Sequence, residues 1–499
     1  MHRHTIIALS LLLLGLAPAS ADAANFGVDT TFGPDSGHYR FDRDTSDDWV
    51  HDSAVDSQGR ILLAFLIEDS GNPGLYYPAV MRLTPDGYGD PSFGFLGLWL
   101  ESTIDATPEV AINIAVDTQD RPVVGWTYEF DQGTPGNPVI NRDWYVRRLT
   151  TGGTVDDGHV VAIDLGVSTS GDRLDEMNDI MVLSDDRIVA VGGSQYDGSD
   201  WDLAVAVVKD DATLGLTYDT AFHSDGRVTV AYDLSGGSDY DMGQAVIADH
   251  TGNLLVTGWS NSSTGNVVTV TRIDKDTGAM DSTFDGDGKA TYAYTPLLDP
   301  AERSRGIDVS LKTGGLAVAA VLYDGSYEHI GVLGLNTDGS VDMGFGTNGW
   351  FYSAPGYPGA FLDPASTRIT GIATDYDRLV YSASVEDPLD PNQRMGIVGV
   401  LNFNGTPRTE FTTGGYDHYW FEPTGEQIET SFSNVLVPGF FIGTASGKAI
   451  LTGSMRGITG GGSRTDGDLL ATRVATQADT GPLFADGFES GNTGAWSAP

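Results

Sequence analysis

Cysteine is absent from the 499 residues, which excludes a disulfide framework, a thiolate metal site and a cysteine nucleophile. It also excludes a lipidated cysteine at a cleavage site. Basic residues are scarce: 27 Lys and Arg stand against 69 Asp and Glu, a net charge of −42. Such a polyanion repels phosphate backbones and anionic bilayers, which excludes nucleic-acid binding. Apart from the N-terminus, no stretch approaches the roughly 18 apolar residues that a membrane-spanning helix needs. Long helices have little room, because 65 glycines and 22 prolines punctuate the chain. What is present is 40 % hydrophobic and 10 % aromatic residues, enough apolar surface to offset the entropy of ordering.

Met1-His2-Arg3-His4 is a short basic start, Ile6 to Leu16 an apolar run broken by Ser10 and Gly15, and Pro18 to Ala24 a stretch of small residues. This is the pattern of a secretory signal peptide over residues 1–23. The expected address is therefore periplasmic or extracellular. An exported chain without disulfides must draw its durability from packing or topology.

Phe32, Phe93, Phe222, Phe284, Phe345 and Phe411 each precede a glycine and a short strand, at spacings of 61, 129, 62, 61 and 66. The double gap holds a degenerate copy, TVDDGHVVAID, so the period is about 63 residues, the length of a modular repeat. A second series runs in step: SAVDSQGRILLAFL, NIAVDTQDRPVVGW, DIMVLSDDRIVAVGG, AVIADHTGNLLVTGW, IDVSLKTGGLAVAAV, GIATDYDRLVYSA and FFIGTASGKAILTG. Each pairs an alternating strand with an apolar one across a polar turn of hairpin chemistry. Runs such as Ile61 to Leu66 do not alternate and predict strands covered on both faces. A third strand follows in each copy, as in AVMRLTPDG and LLATRVATQ.

Four strands per unit, repeated, predict an all-β fold: a seven-bladed β-propeller of four-stranded blades over residues 24–476. The first glycine-led strand precedes every triple and the last triple has none after it, so the N-terminal strand is expected to complete the last blade. A parallel β-helix is the other architecture with short strands and many glycines, but its rungs are shorter than this period. The unit D-x-x-F-G-x-x-G, strand, A-x-A-x-D-x-x-G, apolar run, strand-R-L-x-x-D-G resembles the delta-60 repeat of secreted bacterial proteins. Asp281 to Gly288 and Asp342 to Gly349 are its nearest copies. The resemblance implies a seven-bladed propeller and export, and it implies no activity.

Crowding near a propeller axis favours small side chains, which places the SAVD, NIAVD, AVIAD and GIATD series innermost. The residues entering it are His51 and Asp52, Asn113, Asn178 and Asp179, Gln244, Arg305, Thr370 and Phe440. His51, Asp52, Asn113, Asn178, Asp179, Gln244 and Arg305 are thus the candidate ligand-binding residues of an axial funnel. Acidic loops precede the same strands: Asp44, Asp47 and Asp48; Asp105; Asp172, Asp175 and Glu176; Asp239 and Asp241; Asp299 and Glu302; Asp363. Clustered hard oxygens suit Ca²⁺ or a cationic partner, although none forms a D-x-[DN]-x-[DN]-G loop with its distal Glu, and no metal ligand is assigned. Solvated charge explains the same loops.

G-x-S-x-G, H-E-x-x-H and the phosphate-cradling G-x-x-x-x-G-K-[ST] are all missing. His38, His51, His159, His223, His250, His329 and His418 include no i, i+2 or i+4 pair. Trp99, Trp126, Trp144, Trp201, Trp259 and Trp350 suit either blade packing or stacking on sugars. Residues 477–499 resemble the short F-x-D-G-F-E-S-G-x-x-x-x-W tails of exported proteins and read as a sorting or docking element. The expected function is a monomeric binding or scaffold module without catalytic residues, its ligand a glycan or protein. The alternative is a secreted carbohydrate-active hydrolase or lyase using carboxylates in the funnel.

Overall fold

The computed structural model describes residues 28–35, 37–41, 49–69, 72, 74–102, 106, 111–134, 138–166, 173–197, 200–263, 265–294, 305–323, 328–353, 367–375, 377–387, 390–409, 411, 416–419, 428–436, 448–459 and 463–475. The signal segment and the C-terminal tail lie outside them. The described residues are all-β, with no helix.

The first strand is β1 (His38–Phe41). An antiparallel sheet follows from β2 (Trp49–Val55), β3 (Ile61–Glu68), β4 (Tyr76–Leu83) and β5 (Leu98–Leu100). Next come β6 (Ile112–Val116), β7 (Pro122–Asp131), β8 (Ile140–Leu149) and β9 (Val155–Ile163), then β10 (Arg173–Val182), β11 (Ile188–Asp197) and β12 (Asp200–Asp211), with β13 (Gly215–Tyr218) and β14 (Arg227–Val230) both paired to β12. These two meanders form one nine-stranded sheet, because Arg173 and Leu174 of β10 pair in parallel with Asn141 and Arg142 of β8. Four-stranded sheets resume with β15 (Asp241–Ala248), β16 (Leu254–Ser262), β17 (Gly265–Ile273) and β18 (Lys289–Tyr292). Then come β19 (Arg305–Lys312), β20 (Gly315–Tyr323), β21 (Glu328–Asn336) and β22 (Trp350–Tyr352), followed by β23 (Thr367–Asp375), β24 (Arg378–Asp387), β25 (Asp390–Asn402) and β26 (Tyr416–Tyr419). The last sheet holds β27 (Ile428–Leu436), β28 (Lys448–Thr459) and β29 (Ser463–Ala475), and β1 completes it by pairing with β29, His38 opposite Thr472.

The expected four-strand repeat is thus present, with two departures. The double gap holds a fused pair of meanders, and β13 adds a short strand. The first strands β2, β6, β10, β15, β19, β23 and β27 each lie against the next, and β27 lies against β2.

Side-chain alternation explains how the sheets stack. In β3, Ile61, Leu63, Phe65 and Ile67 pack toward Ile450 and Ala471 of the last sheet, while Leu62, Ala64 and Leu66 pack toward Ile112, Val124 and Trp126. The run that does not alternate in hydrophobicity therefore divides with period two between two interfaces. Fully burying each such side chain contributes about 1.5–3 kcal/mol. Equivalent clusters fill the gaps between the other successive meanders.

The recurring D-x-x-F-G and R-L elements form a second device. Arg82 bonds Asp90 at 2.8 Å, reaches Thr151 O of the following meander and lies 4.6 Å over the Phe93 ring. Arg272, Asp281, Thr337 O and Phe284 repeat this, as do Arg473, Asp29, Pro85 O and Phe32. The amide after five of these phenylalanines then donates to the next unit's turn: Gly33 to Asp86 O, Gly94 to Gly152 O, His223 to Thr277 O, Asp285 to Asp338 O and Gly346 to Asn404 O. The turn glycine makes room for the ring. At Gly153 (φ +74°) a Cβ would fall 2.6 Å from Phe93.

Candidate functional site

Each first strand hydrogen-bonds the second strand of its own meander along one edge; apart from the two-residue pairing of β10 with β8, the other edge has no ladder partner among the described residues. Three aspartates serve that edge. Asp52 accepts from its neighbour Ser53 N at 2.7 Å and, across the gap, from Ile114 N of β6 at 2.8 Å. Asp179 accepts from Ile180 N and from Val246 N of β15, both at 2.7 Å. Asp308 accepts from Val309 N at 2.7 Å and from Ile372 N of β23 at 2.8 Å. One carboxylate in alternate first strands thus satisfies an amide of its own strand and one of the next.

The register makes these positions equivalent: Asp52 faces Ala64, Asp179 faces Val191 and Asp308 faces Ala319, each directly after a β-bulge. Asn113 occupies the same position opposite Gly125, is 3 % exposed and has no hydrogen-bond partner for Nδ2. Burial, then the charges of Asp52 and Asp308, push the Asp179 carboxyl well above its usual range. Burial, with Asp52 adding to it, pushes Asp308 up to about 7. The three carboxylates are therefore within electrostatic reach of one another.

Of the residues singled out in the sequence, Asp52, Asp179 and Asn113 share this ring. His51, Asn178 and Gln244 occupy positions one residue before it, at or beside the bulges. Burial pushes the His51 imidazole down to about 4, and Asn178 Nδ2 donates to Gly243 O at 2.8 Å. Gln244 Nε2 approaches the same carbonyl at 3.4 Å, and Thr370 bonds the Ser382 hydroxyl at 2.9 Å. Arg305 opens β19 opposite Val321. Its sheet places Asp308 in the ring, a residue that lining up IDVSLK with the other copies could have found. The side chain of Arg305 and the whole of Phe440 lie outside the described residues.

Of the acidic loops, Asp44, Asp47, Asp48, Asp105, Asp172, Asp299, Glu302 and Asp363 lie outside the described residues. Asp175 accepts from Ser194 Oγ at 2.6 Å and Leu165 N at 2.9 Å. Asp241, 1 % exposed, accepts from Tyr232 N, and Glu176 pairs with Arg142 at 2.7 Å. Carboxylate oxygens of Asp143, Asp164 and Asp175 lie within 4.8 Å of one another. Burial, opposed by hydrogen bonds from Ser194 and Leu165 and reinforced by Asp164 and Asp143, pushes Asp175 up to about 7. Burial, then Asp200, Asp241 and Asp233, pushes Asp202 up to about 6.

Aromatic side chains gather at the end of the sheets away from the polar turns of the first hairpins. Trp201 stacks on Tyr240 at 5.5 Å, and Tyr240 on Trp259 at 5.0 Å. Tyr128 stacks on Phe130 at 5.4 Å and meets Tyr145 edge-on, while Tyr294 stacks on Tyr352 at 5.2 Å. Tyr196, at the same end of β11, is 46 % exposed, and Tyr128, Phe130, Tyr145, Tyr240, Trp259 and Tyr352 are half-buried. Trp99, Trp126, Trp144 and Trp350 are core residues instead.

Other described histidines have polar or aromatic partners: His38 Nδ1 lies 3.0 Å from Thr472 Oγ1. His159 lies between Asp156 and Asp210 at 3.2 and 3.1 Å, His223 bonds Arg227 O and His329 packs edge-on against Tyr352. No helix among the described residues is long and apolar enough to cross a membrane.

No protein family and no curated protein matches the chain. Among solved structures it is similar to polysaccharide lyase Uly1, with 10 % identity over 90 % of this chain and 95 % of that one and a TM-score of 0.45. A protein of unknown function from Dyadobacter fermentans gives 9 % identity, 88 % and 98 % coverage and a TM-score of 0.39. The subtype N11 neuraminidase-like protein of A/flat-faced bat/Peru/033/2010 gives 9 %, 90 %, 96 % and 0.35. These are β-propeller-like proteins. At such identities and scores the likeness brings no activity, substrate or residue role to this chain.

Proposed function

We propose that this chain is an exported, monomeric seven-bladed β-propeller that binds a glycan across the aromatic end of its disc. The observation that carries the reading is the gathering of half-buried aromatic rings at one end of neighbouring sheets: Tyr128 and Tyr145, then Tyr240 and Trp259, then Tyr352. Aromatic side chains of this kind combine an apolar face for a sugar ring with a polar rim for its hydroxyls. The axial carboxylates fit a binding module better than a catalyst, since each spends its oxygens on two backbone amides.

The second reading is a carbohydrate-active enzyme, and Asp143, Asp164 and Asp175 favour it. Their oxygens lie within 4.8 Å of one another, and burial pushes Asp175 up to about 7, in the range of a general acid. One experiment separates the two. Acidic and neutral polysaccharides are run in affinity electrophoresis with the native chain, Tyr128→Ala and Trp259→Ala, and the same mixtures are assayed for new reducing ends. The binding reading expects retardation that weakens about tenfold in at least one variant, with the polysaccharide left intact. Retardation that is equal in all three chains sinks it. Reducing ends that disappear with Asp175→Asn establish the enzyme.

A further inference from the structure

We propose that the connection between β4 and β5, residues 84–97, is a docking surface for the chain's own C-terminal segment, whose Phe484 and Phe488 cover its exposed apolar side chains. Leu83 pairs with Ile61 beside the first polar turn, so this surface lies at the end of the sheets opposite the aromatic rings. It does not depend on the glycan reading.

Three large apolar side chains stand in water there: Phe95 is 80 % exposed, Leu96 75 % and Tyr88 48 %. The same turn between β21 and β22 is built without them. In both turns the residue after the glycine donates to a carbonyl further on, Phe95 to Leu98 O and Thr347 to Trp350 O, each at 2.7 Å. The residue that follows is left-handed in both, Leu96 at φ +56° and Asn348 at φ +54°. Asparagine tolerates that conformation, whereas leucine seldom adopts it. Other copies hold Pro34-Asp35, Ser224-Asp225 and Gly286-Asp287 at these places. The β4–β5 copy thus keeps a phenylalanine and a strained leucine where polar residues serve the turn, and exposed apolar surface of this kind marks a contact.

The position of the last strand identifies the occupant. β29 ends at Ala475, two residues after Arg473, whose Nη1 donates to Pro85 O at 3.0 Å. The chain therefore leaves its last sheet beside the start of this connection. Residues 476–499 follow and carry Phe484, Phe488 and Trp496 among small and polar residues. At about 3.3 Å per extended residue, the path from Ala475 to Phe484 spans up to about 30 Å, ample for a loop whose second residue already touches Arg473. Asp86 is the one exposed charge of the connection, so Asp486 and Glu489 of the segment meet little repulsion. A tethered segment also reaches the surface at a high effective concentration, an advantage no separate partner has.

The test uses the full chain, which has no cysteine of its own. Pro91→Cys combined with Ala485→Cys, oxidised at low protein concentration, should form an intramolecular disulfide seen by peptide mass. Ser263→Cys, at the aromatic end, combined with Ala485→Cys should not. Cleavage after Phe484 and Phe488 by chymotrypsin is timed in the native chain and in Phe95→Thr with Leu96→Asn, which installs the polar pair of the β21–β22 turn. Cleavage should be at least about tenfold faster in that variant, with circular dichroism unchanged; the disulfide pair keeps the test decisive should the variant fail to fold. Equal cleavage rates, or equal oxidation of the two cysteine pairs, overturn the proposal. So does protection that appears only as the mass by light scattering doubles, which would put a second copy on the surface.

Discussion

At the scale of single residues, the buried carboxylates set the pH response. Asp175 is 4 % exposed, and burial pushes its carboxyl up to about 7, above the usual carboxylate range. The fold therefore favours its protonated form. Stability on its account is full below the unfolded pKa and falls as pH rises toward 7. Asp175→Asn carries no such penalty, so its melting temperature relative to the native chain should climb between pH 4.5 and pH 8, by an equivalent of about 1–4 kcal/mol. Melting curves at both pH values check this, and a constant difference would reject it. His51 works in the opposite direction: held neutral down to about 4, it costs the fold stability as pH drops below 6.5, equally in both chains. The axial residues were only partly legible in the sequence. Bulges insert one residue ahead of Asp52 and Asp179, so counting along the strand mixes His51 and Asn178 with the ring. In the β19 copy the same counting stopped at Arg305 and passed over Asp308.

At the scale of elements, the repeat was readable because each copy carries its own lock. Phe93 fits beneath Gly153 of the following turn, where a Cβ would also lie 2.7 Å from Gly94 N. Gly286 (φ +90°) has a comparable backbone but open space around its Cβ. Gly153→Ala should therefore destabilise by about 2–4 kcal/mol, and Gly286→Ala by only about 1 kcal/mol. Urea midpoints measure both, and equal losses would show that the phenylalanine seat contributes nothing. The strands themselves were legible from apolar runs and turn chemistry. What was hidden is the β8 to β10 pairing, since a two-residue parallel contact leaves no periodic trace.

At the scale of the whole molecule, the N-terminal strand joins distant parts of the chain. β1 pairs with β29, and Asp29 bonds Lys448 at 2.5 Å and Arg473 at 2.8 Å. Burial alone would raise that carboxyl, but the hydrogen bonds from Lys448 and Thr31 and the charge of Arg473 hold it well below its usual range. Gly33 N then reaches Asp86 O of the β2–β5 sheet. Deleting residues 24–45 should lower the melting temperature and broaden the transition, because an exposed β29 edge and an unlatched first sheet remain. An unchanged curve by differential scanning calorimetry would reject closure by this strand. The pairing of β1 with β29 was foreseeable from sequence by counting: one strand stands before the first triple, and one is missing after the last.

The aspartate bridges also have an arithmetic of parity. Asp52, Asp179 and Asp308 couple first strands two by two, β2 with β6, β10 with β15 and β19 with β23. In the proposed ring of seven, the described bridges couple six first strands by twos and leave β27 over. That strand belongs to the sheet in which β1 and β29, the first and last described strands, lie side by side. The odd member of the cycle thus lies in the sheet built from distant parts of the chain, and the hydrogen bonds of β1 to β29 tie that sheet together.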